Sequence, residues 1–138
     1  TGPIALSSGP VRNVSRILTF KLGGDAELPD NDFTAAPLPD FSGLAIDDTV
    51  AEQGFAVYDR YCGACHGSGA VGSGVIPDLR YSALQGSPEA WANVVLDGAF
   101  ADRGMVGFGD ELTAEDAEAI RHYVLTRYRF ALSQGAAF

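Results

Sequence analysis

Cys62-Gly63-Ala64-Cys65-His66 is the stretch of this sequence best equipped for covalent chemistry. Thiols three residues apart share one face of a helical turn, so both sulfurs can bond the same edge of a flat group while the next side chain swings beneath it. This is the attachment pattern of a c-type haem, with Cys62 and Cys65 as thioether donors and His66 as the iron ligand. The chain has only two cysteines, and both lie in the motif. Other uses of the pair fit less well. A structural zinc site takes four ligands, and beyond this cluster only His122 adds an imidazole or thiolate. A thioredoxin-type redox pair expects a βαβ setting, and a disulfide closing so short a loop would stabilise little and leave His66 unexplained.

The sixth position on such an iron calls for a soft donor, and Met105 is the only methionine in the chain. It sits in Arg103-Gly104-Met105-Val106-Gly107, where glycines allow the backbone close to a flat cofactor, and His/Met ligation raises the potential of cytochromes c. The rival is His122, which the sequence places inside a helix as a solvated or locally bonded side chain. Pro77 has a carbonyl but no N–H; that carbonyl is expected to accept the Nδ1–H of His66 and make the opposite nitrogen a better ligand. Arg80 first, then Arg103 and the Trp91 indole N–H, are candidates for holding the propionates, since charge-assisted bonds to carboxylate are strong. No catalytic residue is assigned.

Three main helices are expected to carry these residues. The first starts at Asp48 or Thr49 and leads into Cys62, with Phe55, Tyr58 and Cys62 as its buried stripe. Gly54 costs a helix about 1 kcal/mol relative to alanine, which points to close approach by another helix. Residues 67–74 read as a glycine loop beside the haem. Ser87, Pro88 and Glu89 open a second helix with Trp91, Val94 and Val95 buried. Thr113 and Asp116 open a third as a capping box, with Ala117, Ile120, Tyr123 and Val124 inward and Arg127 and Arg129 near its carboxyl end.

The chain has 138 residues and a net charge of −9. That charge disfavours nucleic acid, whose binding needs Lys and Arg on phosphates, and suits a basic protein partner or a neutral docking patch. No run approaches the ~18 apolar residues of a membrane span. The start at Thr1, without methionine or a leader, suggests a processed, truncated or excised chain. Residues 14–22 read as a strand without a partner, which must pair with another polypeptide or domain or lie as an extended arm. Residues 25–46, proline-rich and acidic, read as linker. The division expected is 1–24 extended segment, 25–46 linker, 47–132 helical domain and 133–138 tail.

Residues 47–130 resemble the class I cytochrome c family through the Cys62-Gly63-Ala64-Cys65-His66 motif, Ile76-Pro77-Asp78-Leu79, Gly104-Met105 and the closing helix. The resemblance implies an all-α fold, a small class I cytochrome c domain with three main helices around one covalent haem, preceded by an extended strand and linker arm. With Arg16-Ile17-Leu18-Thr19-Phe20-Lys21-Leu22-Gly23-Gly24 and the linker added, the chain is similar to the cytochrome end of quinohaemoprotein alcohol dehydrogenases. Those periplasmic enzymes join a β-propeller carrying pyrroloquinoline quinone (PQQ) and calcium to a cytochrome. The propeller itself is missing here, so no quinone, calcium or alcohol-oxidising residue carries over. The resemblance implies an electron-transfer domain that is no enzyme on its own. It would pass electrons from an upstream dehydrogenase to a downstream acceptor. A free-standing periplasmic carrier, or an open-site haem enzyme or gas sensor, are the alternatives.

Overall fold

Two long helices crossing at a glycine set the frame. The computed structural model describes residues 19–27, 37–72 and 76–135. Among them the α-helices are α1 (Asp48–Tyr61), α2 (Gly63–His66), α3 (Pro88–Val95) and α4 (Ala114–Ser133). Single 3-10 turns occur at Ser68–Ala70, Leu79–Tyr81, Ala83–Gly86 and Ala101–Arg103. No strand occurs among the described residues; Phe100 and Met105 form an isolated antiparallel bridge.

The N-cap of α1 is Asp47, one residue before the expected start; its carboxylate accepts from the Thr49 and Val50 N–H groups at 2.9 and 3.1 Å. The buried stripe also differs from expectation. It runs through Ala51, Gly54, Tyr58 and Cys62, while Phe55 is half exposed. The reason is Gly54: a β-carbon there would overlap the Ala119 carbonyl of α4, so the absence of a side chain brings the two backbones together along that line. Phe55 is turned to the flank, where its ring lies 5.4 Å from that of Tyr123.

Helix α4 opens with the expected capping box, Thr113 Oγ1 accepting from Asp116 N–H and Asp116 accepting from Thr113 N–H. Ala117, Ile120, Tyr123 and Val124 point into the core with Tyr58, Cys62, Trp91 and Val95. Full burial of a side chain such as Ile120 contributes about 1.5–3 kcal/mol. Helix α4 continues to Ser133, so Arg127 and Arg129 lie before its last turn, and Arg129 pairs with Asp48 of α1. Helix α3 begins as expected, with Ser87 Oγ accepting from Ala90 N–H and Pro88 in the first turn.

The end of the expected linker is attached to this frame. Phe41 N–H donates to Tyr128 Oη at 3.1 Å, and the two rings meet edge to face at 5.0 Å. Of the expected strand, residues 14–18 lie outside the described residues; residues 19–22 form no strand, and the Phe20 and Leu22 side chains are exposed. Among the described residues no helix is long and apolar enough to cross a membrane.

Candidate metal centre

Helix α1 delivers the first cysteine and a single further turn delivers the rest. Cys62 N–H closes α1 on the Tyr58 carbonyl, and the Cys62 carbonyl then accepts from Cys65 and His66 N–H groups at 3.1 and 2.9 Å. The turn α2 stops at Gly67, whose φ of 78° is open to glycine. Tyr58 Oη, buried, donates to the Gly67 carbonyl at 2.7 Å and ties this corner to α1. Cys62 is buried in the core, Cys65 is exposed and His66 is buried. Burial, and then the neighbouring Cys65, pushes the Cys62 thiol up to about 11, so its sulfur stays neutral.

His66 Nδ1 lies 3.2 Å from the Pro77 carbonyl oxygen. A carbonyl only accepts, so Nδ1 carries the proton and Nε2 keeps its lone pair. Gly72 passes this point so closely that a β-carbon would overlap the Pro77 carbonyl. The donor set therefore fits haem c: two cysteines on one helical turn and an imidazole whose Nδ1 is bonded to a carbonyl, leaving Nε2 available to a metal. Among the described residues no three His, Cys, Asp or Glu side chains gather to hold a metal ion by themselves.

Met105 sits in a loop bound to the end of α3. Its N–H donates to Phe100 O at 3.2 Å, while Phe108 and Gly109 N–H groups donate to Val95 O and Leu96 O at 2.8 and 3.0 Å. Gly104 takes a φ of 90°, and a β-carbon on Gly107 would come 2.6 Å from Leu96 O. Met105 is half-buried. His122 is engaged elsewhere: Nδ1 accepts from Asp47 N–H at 3.0 Å and Nε2 faces Glu118 at 3.2 Å.

The three propionate candidates lie in different settings. Trp91 is buried, and its single N–H donates to the Ala117 carbonyl at 2.9 Å, so the indole joins α3 to α4. Arg80 is buried rather than reaching outward, with Nε and Nη2 on Asp78 at 2.9 and 2.6 Å. Arg103 is exposed over the Phe100 ring at 5.2 Å. The sequence reading passed over Gln85 and Arg121, both buried. Glu118 at helical spacing before Arg121 was the available clue; nothing local marks Gln85. It also missed the half-buried Tyr61, Leu79, Leu84, Leu96 and Phe108 that pack on the core.

Residues 49–124 match the family model described as cytochrome c oxidase, cbb3-type, subunit III. The chain is 35% identical over 130 residues to the dehydrogenase subunit of the quinone alcohol dehydrogenase of Gluconobacter oxydans, covering 91% of this chain and 16% of that protein. It is 35% identical over 132 residues to quinohemoprotein alcohol dehydrogenase ADH IIB of Pseudomonas putida, covering 92% and 18%. A solved structure of quinohemoprotein alcohol dehydrogenase ADHIIG from Pseudomonas putida superposes with a TM-score of 0.62 at 33% identity, covering 85% of this chain and 17% of that one. The chain thus spans about a sixth of the length of these relatives.

Proposed function

Because this chain belongs to the cytochrome c family of that model, we propose that Cys62 and Cys65 hold one haem c through thioether bonds, that His66 and Met105 are its axial ligands, and that it relays single electrons from a quinoprotein dehydrogenase to a downstream acceptor. The observation that carries the reading is the His66 Nδ1–H bond to the Pro77 carbonyl, which fixes Nε2 as a donor directly after the two cysteines. When bound, the haem supplies a one-electron couple at iron. The chain's part is to fix both axial donors, keep water away and hold the ring against an apolar wall. Tyr61, Leu79, Leu84, Leu96 and Phe108 are the wall we assign. Arg103 is the propionate partner we assign, because its guanidinium is at the surface. Filling both axial positions leaves no open site, so the domain transfers electrons and leaves substrate oxidation to another domain.

In this reading the donor is an upstream domain that carries PQQ and calcium, as the name of the quinohemoprotein relative suggests for the quinone. The exposure of Phe20 and Leu22 supports it, since such a domain gives these apolar side chains cover. Residues 1–24 then belong with that domain, and the chain from 25 up to the Phe41 contact with Tyr128 forms the connection. The compartment is the periplasm, where family members acquire their haem.

The test is the absorption spectrum of the haem-loaded chain beside Met105→Ala. Expected are sharp α and β bands when reduced and a weak near-infrared-edge band when oxidised, the latter lost in the variant. A high-spin spectrum, a band indifferent to the substitution, or prompt carbon monoxide binding by the reduced chain at neutral pH would overturn the ligand assignment and favour an open-site haem.

A further inference from the structure

We propose that Gln85 and Arg121 are positioning residues for the axial histidine, fixing the backbone of the loop whose Pro77 carbonyl orients His66. The proposal rests on the reading of His66 as iron ligand. Both side chains are buried, Gln85 completely. A buried polar group is costly unless bonded, and apolar residues of similar volume often stabilise as well or better. What these two do that an apolar residue cannot is hold backbone carbonyls.

The chain of contacts begins on α4. Glu118 grips Arg121 with two parallel bonds, Nε to Oε2 at 2.8 Å and Nη2 to Oε1 at 2.6 Å. The planar fork then aims Nη1 at the Gln85 carbonyl, 2.7 Å away. The Gln85 side-chain amide in turn donates to Leu79 O at 2.6 Å and Arg80 O at 3.3 Å. The opposite amide orientation would set oxygen against two carbonyls, so the network fixes this one. Its Oε1 meets no donor among the described residues, a cost accepted to keep both N–H groups on the loop. Arg80, at the next position, donates from N, Nε and Nη2 to Asp78, and Asp78 follows Pro77 directly. Residues 77–86 are thereby fastened to α4 from one end, and the Pro77 carbonyl meets His66 at the other.

A firm Nδ1–H bond makes an imidazole more basic at its ligating nitrogen and so favours ferric iron. Slackening the loop weakens that bond, and the reduced state gains. The experiment uses the haem-loaded chain and the variants Gln85→Leu, Arg121→Met and Arg121→Lys. Lysine retains a charge for Glu118 but has no fork to reach the Gln85 carbonyl as well. Two quantities are read: exchange of the His66 Nδ1 proton, followed by NMR in the reduced state, and the midpoint potential. All three variants are expected to exchange this proton faster and to have a higher midpoint. Leu125→Val, a core truncation without a place in the network, is expected to lower stability and leave both unchanged. If the network variants behave like Leu125→Val, the positioning role is overturned while His66 ligation stands. If the parent chain shows no exchange-protected His66 proton, the Pro77 bond and this proposal fall, while the ligand reading stands or falls on the absorption spectrum. Should Gln85→Leu not fold, Arg121→Lys carries the same two readouts.

Discussion

The Trp91 indole N–H, 2.9 Å from the Ala117 carbonyl, joins two helices in the core. Replacing it with phenylalanine keeps most of the ring and removes the donor. Trp91→Phe is expected to lower stability by about 1 kcal/mol in denaturant unfolding and to leave the midpoint potential where it is; a shifted potential would restore the propionate role. The contrast with His66 shows which residue roles a sequence displays. Cys62, Cys65 and His66 lie within one helical turn, so their spacing is their geometry. The partner of Trp91 is 26 residues away and the Gln85 carbonyl that Arg121 reaches is 36 away, distances over which residue type says only that a donor exists. Arg80 reads in the sequence as a propionate candidate, whereas its Nε and Nη2 are bonded to Asp78, two residues off.

Helix starts were legible because a cap is a local contact. Ser87 with Pro88, and Thr113 with Asp116, were recognisable before any fold was known. At Asp47-Asp48-Thr49 three good caps stand in a row, and Asp47 has the further use that its N–H donates to His122. Helix faces were less legible: the period of 3.6 allows both Gly54 and Phe55 on the inner side, and the close approach of α4 decides for Gly54. Within α4, Glu118 holds both Arg121 and His122. The hydrogen bond from Arg121 keeps its carboxyl below the usual 4.5, against a smaller opposing effect of burial. A carboxyl lowered in the folded state contributes stability that is present above its ordinary value and is lost as pH falls through the folded one. Glu118→Gln is therefore expected to be less stable than the parent near neutrality, with the two converging below pH 4.5. Thermal melts across that range measure it, and a constant difference would refute it.

At the scale of the whole molecule, the helical domain begins earlier than residue 47, the boundary read from composition. Phe41 is bonded and stacked on Tyr128, and the chain from there to Asp47 lies between two contacts with α4, the second being His122. Composition missed this because a single aromatic in a proline-rich stretch does not alter its character. A haem-loaded chain begun at Pro37 is expected to match the full chain in unfolding. One begun at Ser42 is expected to lose about 1–3 kcal/mol, an edge-to-face pair and a hydrogen bond. Equal stability of the two would return the boundary to residue 47.

The burial of Cys62 among Tyr58, Trp91 and Val95 bears on how the proposed haem would be attached. In the proposed function its sulfur forms a carbon–sulfur bond to a vinyl group, yet with α1 and α4 closed Cys62 is only 6% exposed. On that reading attachment is expected while the chain is still open at this corner, since in the folded chain only Cys65 of the two is exposed.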